Sequence, residues 1–245
     1  FNPMDFGFIG STDTHNSNPG DTEEYDYKGS SGVFTAPAEK RLSNSGRVDN
    51  TPGGLAAIWA EENTRDALFD SMQRKEVYAT SGTRIRLKFS VSFESQEQTY
   101  PMGSTIKADM DNMPQFSIVA HKDPLEGPLH KIQLIKGWTS NGVALERVLD
   151  IYCSQSCSDE VFKVDLKTCE IDQQQGEDEI KVSWTDETYK PEQNAFYYVR
   201  VLQVPTCRWS TYDSIALGIQ PPDDIPATVT EMAWSSPIWI DSTNE

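Results

Sequence analysis

Asp13 and His15 are the residues in this sequence best suited to chemistry, and they follow an apolar run at residues 6–10. A carboxylate oxygen and an imidazole nitrogen are suitable ligands for Zn, Mn or Fe. On extended backbone, side chains two positions apart point the same way, so Thr14 between them lets both face one ion. Asn16 is placed to hydrogen-bond such ligands. The pattern predicts half of a metal site, and the alternative is a polar surface turn that contains a histidine.

Two further carboxylates, Glu61 and Glu62, follow a second apolar run at residues 54–60. At the end of a strand, a carboxylate can serve as a metal ligand or as a general base. The same residues are equally suited to lead into a helix, which is the alternative interpretation. His121 and His130 lie beside predicted turns, and we interpret both as solvated loop histidines.

The elements that must position these residues differ between two parts of the chain. Residues 6–10 and 54–60 are each a short continuous apolar run, which is typical of a buried strand. Residues 16–54 form a long polar segment, and such a loop is usually functional or mobile. A helix follows, with Asn63 or Thr64 as its cap. Residues 1–84 are therefore predicted to form one α/β unit.

The second part, residues 85–245, alternates apolar and polar residues with a period of two. Eight segments of this kind are separated by Gly, Pro, Asn and Asp clusters, and no helix is predicted among them. This pattern indicates an antiparallel, immunoglobulin-like β-sandwich and an α+β fold for the whole chain. The predicted strands are residues 84–93, 115–123, 131–138, 144–152, 160–168, 179–187, 194–204 and 236–241.

Composition restricts the partners of the 245-residue chain. Its formal net charge of −17 argues against a nucleic-acid partner, because phosphate binding requires a stripe of Lys and Arg. The same charge argues against binding to anionic membranes, and no run of about 18 apolar residues predicts a transmembrane helix. Four cysteines suit two disulfides in an oxidising compartment, although four free thiols in the cytoplasm are the alternative.

Four ordered blocks carry a resemblance to a known family. They are GFIGSTDTHNSNPG, NTPGGLAAIWAEENTRDALFDSMQRKEVYATSGTRI, NAFYYVRVLQVPTCRWSTYD and AWSSPIWI. Together they resemble domain-of-unknown-function family 3604, whose members are similar to PHP-type (polymerase and histidinol phosphatase) metallohydrolases. The resemblance implies a distorted barrel of parallel strands and helices that holds two or three metal ions. Asp13 and His15 match the last Asp-x-His ligand pair of that pattern.

The sequence departs from the PHP pattern in its other ligands. It contains no His-x-His motif and only three histidines in total. The chain is therefore expected to be a C-terminal fragment, with residues 1–84 as the remnant of a barrel whose N-terminal part is missing. The resemblance implies a Zn, Mn or Fe cofactor and an unknown small-molecule phosphoester substrate in the full-length protein. The fragment alone is expected to be inactive, and a fragment without any metal is one alternative. A non-catalytic β-sandwich module for binding or interaction is the alternative.

The resemblance also bears on the cysteines. Relatives carry a Cys pair in a short loop where this chain has Cys153 and Cys157. Cys169 has no counterpart in the family, so a Cys169–Cys207 pair specific to this protein is a hypothesis, and the connectivity is otherwise left open. Family members resemble exported proteins, which implies a periplasmic or extracellular location, with the cytoplasm as the alternative.

Overall fold

The computed structural model describes residues 5–43, 49–94 and 97–242, most of them in or between β-strands. The strands are β1 Leu55–Ile58, β2 Val77–Thr80, β3 Arg86–Phe93, β4 Thr99–Pro101, β5 Thr105–Lys107, β6 Pro114–His121, β7 Leu129–Ser140, β8 Val143–Cys153, β9 Glu179–Thr185, β10 Ala195–Gln203, β11 Thr206–Cys207, β12 Thr228–Val229, β13 Met232–Ser235 and β14 Ile238–Asp241. The helices are α1 Ala38–Arg41, α2 Arg65–Gln73 and α3 Trp209–Leu217. No helix in these ranges has both the length and the apolar character needed to cross a membrane.

The strands form two main sheets. In the larger sheet of eight strands, β10 lies at the centre, with β7 on one side and both β13 and β14 on the other. The sheet continues from β7 to β8, from β13 through β2 to β1, and from β14 to β5, the last pair being parallel. The smaller sheet has the order β4-β3-β6-β9 and is antiparallel throughout.

The core lies between the inner faces of the two sheets. Alternate residues of β3 and of β10 are buried, as a period of two requires when one face of a strand packs against a second sheet. The ring of Phe116 on β6 lies 4.5 Å from that of Tyr197 on β10 and 5.6 Å from that of Phe89 on β3, measured between centroids. The Phe116–Tyr197 contact joins the two sheets directly, and the Phe116–Phe89 contact lies within the smaller sheet.

Seven of the eight predicted sandwich strands are present, and the exception has a local cause. The predicted strand at 160–168 is wrong, because residues 159–161 form a 3-10 turn and a loop follows. The Asp165 carboxylate accepts hydrogen bonds from the Lys167 amide, at 2.8 Å, and from the Thr168 hydroxyl, at 3.0 Å. These local bonds compete with a ladder for the backbone groups. Helix α3 is a second difference, because no helix was predicted in this part of the chain.

The predictions for residues 1–84 have mixed outcomes. The helix is confirmed as α2, and the Thr64 hydroxyl caps it by accepting a bond from the Ala67 amide. Residues 54–60 contain β1, which is only partly buried. The predicted buried strand at 6–10 is wrong, because these residues join no ladder and Phe6 and Ile9 are exposed.

The large sheet extends across the predicted boundary at residue 84. Strand β1 pairs antiparallel with β2, and β2 pairs antiparallel with β13 near the end of the chain. Residues from both predicted units therefore share one sheet, while the division of the chain at residue 84 stays a prediction. The antiparallel sheets and the few helices agree with a β-rich, α+β architecture.

Candidate functional site

The loop that carries Asp13 and His15 presents both side chains to solvent. A carboxylate oxygen of Asp13 lies 3.9 Å from Nε2 of His15, and the side chains are 99% and 78% exposed, respectively. Asp13 has a φ of 50°, in the left-handed region that costs free energy for a residue other than glycine. The two predicted ligands are thus side by side and open to an ion or to another molecule.

Close backbone packing fixes the start of this loop. A Cβ at Gly53 would lie 2.5 Å from the Cα of Thr12, and Gly53 also has a φ of 90°. Likewise, a Cβ at Gly10 would lie 2.7 Å from the carbonyl oxygen of Leu55. The Gly54 amide donates to the Ser11 carbonyl at 2.9 Å. Glycine is therefore required where residues 10–12 cross the beginning of β1.

Hydrogen bonds to residues 29–30 fix the end of the loop. The His15 amide donates to the Ser30 carbonyl at 2.6 Å. The Asn16 side chain donates to the Gly29 carbonyl at 2.7 Å, and its oxygen accepts from the Asn18 amide at 3.0 Å. Asn16 was predicted as a partner of the ligands, but its hydrogen bonds instead hold the loop in place.

Glu61 and Glu62 lie between β1 and α2 and are exposed. The Glu62 carboxylate accepts a bond from the Thr64 hydroxyl at 3.0 Å, beside the start of the helix. Both residues line an open cavity of about 580 Å³, whose other charged lining residues are Asp66, Asp70 and Arg74. Neither Asp13 nor His15 lines that cavity, so the structure brings the first predicted pair together but not the two pairs.

Within the described ranges, one group of three potential ligands has its ligand atoms within 4.8 Å of one another, and it consists of Asp150, Cys153 and Cys157. Cys153 and Cys157 form a disulfide with each other, so their sulfur atoms are not thiolate ligands. Asp13 and His15 have no third His, Cys, Asp or Glu ligand at this range among the described residues. Two ligands fit the donor chemistry of Zn, Mn or Fe but do not close a coordination shell.

The four cysteines form two disulfides, Cys153–Cys157 in the loop where the resemblance places a Cys pair, and Cys169–Cys207, the pair hypothesised for this protein alone. The first closes a turn at the end of β8. The second ties the loop after the 159–161 turn to β11, immediately before α3. Disulfides of this kind are typical of proteins that fold in an oxidising environment.

Three buried glutamates form a cluster that the sequence did not indicate. Glu24, Glu126 and Glu231 are 5%, 7% and 4% exposed, although they are far apart in sequence. Burial raises the pKa of Glu24 to about 7, that of Glu126 to about 7 and that of Glu231 to about 8. Repulsion from other carboxylates adds to the shift for Glu126 and Glu231. No local pattern distinguishes these glutamates from the exposed ones.

The prediction that His130 is a solvated loop residue is wrong. This histidine is fully buried on β7, its ring meets that of Phe162 at 4.7 Å, and neither ring nitrogen has a hydrogen-bond partner in the described chain. Burial lowers the pKa of His130 to about 4, so the ring is neutral at pH 7. His130 is therefore a core residue, whereas His121 is partly exposed beside Glu179.

The fold and the loop together define a β-sandwich protein that displays a carboxylate–imidazole pair at its surface. Residues 1–242 match the family described as "Protein of unknown function (DUF3604)". Since this match covers almost the whole chain, the chain belongs to that family. No curated protein and no solved structure matches it.

Proposed function

We propose that this chain is the C-terminal portion of a PHP-like, metal-dependent hydrolase, and that Asp13 and His15 are two of its metal ligands. The observation that carries the proposal is the 3.9 Å pairing of the two side chains on a fixed, exposed loop. An ion pair as exposed as this one contributes little to the stability of the fold. The remaining ligands would come from an N-terminal part of the barrel. Glu61 and Glu62 are candidates to line the same site.

The metal would supply electrostatic stabilisation and an activated water for hydrolysis of a phosphoester of unknown identity. In that site, the role of this chain is to hold a carboxylate and a neutral imidazole at the metal. The strained backbone at Asp13 and the close contact at Gly53 fix where those groups lie. Two ligands alone are not expected to support turnover, so we expect no metal-dependent phosphatase activity from the isolated chain.

Zn²⁺ titration followed by NMR tests the proposal. We expect the ring resonances of His15 to shift with 1:1 saturation, because Asp13 and His15 offer a two-ligand site. An Asp13→Asn/His15→Ala variant should bind about tenfold more weakly or worse, as loss of metal-site residues typically does. Asn tolerates left-handed backbone, so this change leaves the loop conformation accessible.

The chain offers a matched control in His121 and Glu179, whose Nε2 and carboxylate lie 3.3 Å apart on neighbouring strands. A His121→Ala/Glu179→Gln variant should bind Zn²⁺ as the wild type does. The proposal is wrong if this control abolishes binding while the Asp13/His15 variant leaves it unchanged. It is equally wrong if no resonance of His15 responds to Zn²⁺.

We infer an oxidising cell compartment from the two disulfides. Both pairs need an oxidising environment to form and persist, which supports a periplasmic or extracellular location. Mass spectrometry of protein purified from its native source, alkylated before reduction, tests this. We expect no alkylated cysteine, and four alkylated cysteines would indicate a reducing compartment.

A second candidate, a non-catalytic binding module, is favoured by aromatic residues on the outer face of the large sheet. The rings of Phe196 and Trp239 lie 4.9 Å apart beside an apolar cavity of about 390 Å³. Aromatic faces of this kind bind sugar rings. A Phe196→Ala/Trp239→Ala variant should then lose retention on insoluble polysaccharide, while Phe69→Ala on α2 should not. Equal retention of all three proteins would exclude this candidate.

A further inference from the structure

The buried glutamates come from three separate parts of the chain. Glu24 lies in a 3-10 turn at Glu24–Asp26, Glu126 lies in the loop before β7, and Glu231 immediately precedes β13. Each is more than nine-tenths buried. The three carboxyls are near enough for Glu24 and Glu126 to repel Glu231, and for Glu24 to repel Glu126. They therefore form one electrostatic unit at the place where these segments meet.

Hydrogen bonds from this cluster reach α3 and the large sheet. Glu24 accepts a bond from the Trp209 amide at the start of α3, at 2.5 Å. Glu231 accepts a bond from the hydroxyl of Ser81, which itself accepts from the Met232 amide at 2.8 Å. The Glu126 carboxylate accepts no hydrogen bond within the described residues. The cluster thus lies between the polar segment, α3 and the end of β2.

Positive charge around the cluster is too small to balance it. The guanidinium of Arg208 favours the charged form of Glu24, and that of Arg84 favours the charged form of Glu126. Against these two cations stand five acids, of which Asp123 and Glu23 also repel Glu126. Three phenols also face the cluster, those of Tyr25, Tyr27 and Tyr212. The three buried glutamates therefore cannot all ionise there without a large energetic cost.

The segment that carries Glu24 also holds the Asp13–His15 loop. Residues 16–43 provide Ser30 and Gly29, whose carbonyls accept the bonds from His15 and Asn16. The segment is anchored to α3 by a bidentate ion pair between Arg41 and Asp213, with bonds of 2.8 and 2.7 Å. The described part of this segment, predicted as a functional or mobile loop, is thus packed against α3 and joined to the site.

We propose that Glu24, Glu126 and Glu231 form a proton-dependent latch that holds residues 16–43 on α3 and thereby fixes the Asp13–His15 loop. The part of this inference that concerns metal binding rests on the proposed function. The latch itself does not, because it concerns only the packing of the segment.

The sign of the pH effect follows from the raised pKa values of the three carboxyls. Below the ordinary pKa of a glutamate, near 4.5, the groups are neutral in both folded and unfolded chains, so burial has no ionic cost. As the pH rises through about 7 to 8, the buried carboxyls lose their protons and repel one another. The latch is therefore tightest at acidic pH and weakens as the pH rises through about 7 to 8.

Amide hydrogen exchange of the metal-free chain, corrected for the intrinsic exchange rate at each pH, tests the latch. Protection of residues 16–43 should fall about tenfold or more between pH 6 and pH 8.5, while peptides from β10 keep their protection. In a Glu126→Gln/Glu231→Gln variant, the segment should stay protected at pH 8.5, because Gln mimics the neutral acid. The matched control, Glu146→Gln/Glu160→Gln, removes two exposed acids and should behave as the wild type does.

If the protection of residues 16–43 in the wild type does not change with pH, the inference is overturned. A Glu126/Glu231 variant that loses protection with pH as the wild type does would also overturn it. If the double variant does not fold, Glu126→Gln alone is informative, since Glu126 has no hydrogen-bond donor to lose, and it should move the transition to higher pH. A transition unchanged by that single substitution contradicts the latch.

Zn²⁺ titrations at pH 6, 7 and 8.5 separate this inference from the proposed function. A loop that stays fixed should not bind Zn²⁺ more weakly at pH 8.5 than at pH 7, whereas an opening latch should weaken Zn²⁺ binding at pH 8.5. Absence of Zn²⁺ binding at every pH would refute the proposed function but leave the exchange result standing. Binding that rises steadily to pH 8.5, together with pH-independent exchange, would refute the latch alone.

Discussion

Replacing Lys136 by methionine should destabilise the protein more than any change to a surface charge. Lys136 is 4% exposed and Asp186 is 1% exposed, and the ammonium lies 2.5 Å from Oδ2 of Asp186. The same oxygen accepts a bond from the Tyr197 hydroxyl at 2.7 Å. The Thr188 amide and hydroxyl donate to the other oxygen at 2.9 and 2.7 Å. Methionine preserves most of the volume but leaves Asp186 as a buried, uncompensated charge.

The size of the expected destabilisation depends on the groups that still contact the Asp186 carboxylate in the variant. Breaking a buried ion pair by removing one partner costs roughly 3–5 kcal/mol. Because three hydrogen bonds to Asp186 survive the substitution, we expect the lower end, about 3 kcal/mol. For a chain of this size, that free energy corresponds to a fall in Tm of about 6–12 °C.

The loss of stability in the Lys136→Met variant should depend on pH. Burial raises the pKa of Asp186, but hydrogen bonds from Lys136, Thr188 and Tyr197 outweigh it and hold the pKa below its ordinary value. The wild type is therefore stabilised by this group above the unfolded pKa and loses that contribution as the pH falls through the folded pKa. Without Lys136 the pKa of Asp186 should rise, so the difference between variant and wild type should shrink as the pH falls from 7 to 4.

Urea unfolding followed by tryptophan fluorescence measures this prediction. A Lys136→Met/Asp186→Asn variant should recover more than half of the loss, since it removes the unpaired charge. Lys181→Met is the matched control, because its ion pair with Glu179 is exposed and worth at most about 1 kcal/mol. The reasoning is refuted if Lys136→Met and Lys181→Met are equally stable, or if the double variant recovers nothing.

Three further predictions concern the elements around the site. Replacing both cysteines of the Cys169–Cys207 bridge with serine should cost about 4 kcal/mol, against about 2 for Cys153–Cys157, because the bridges span 38 and 4 positions. Calorimetry that ranks them in the reverse order would contradict this. Gly53→Ala should cost about 1–3 kcal/mol and weaken Zn²⁺ binding, since its Cβ would displace Thr12; unchanged binding by NMR would exclude that role. Arg41→Met should leave Asp213 unpaired and speed proteolysis within residues 16–43, and equal cleavage rates would show that the ion pair does not anchor the segment.

Strands were predictable wherever burial on one face dictates an alternating pattern. On β3, Leu87, Phe89 and Val91 are all buried, as their spacing indicates. Helix α2 was predictable for a different reason, because its Thr64 cap is a local interaction between residues that are close in sequence. The prediction at 160–168 was wrong because the hydrogen bonds that Asp165 accepts and the disulfide at Cys169 are not visible in a period-two pattern.

The sequence by itself determined the β-rich architecture, the family and the Asp-x-His pair, since each depends on residue type and local spacing. Only the tertiary structure decided that Glu24, Glu126 and Glu231 meet, that His130 is buried, and that Arg41 reaches Asp213. The electrostatic environment of a carboxyl depends on neighbours that are far away in sequence. Burial and neighbouring carboxylates therefore turn ordinary acidic residues into groups that titrate near neutral pH, and no local pattern carries that information.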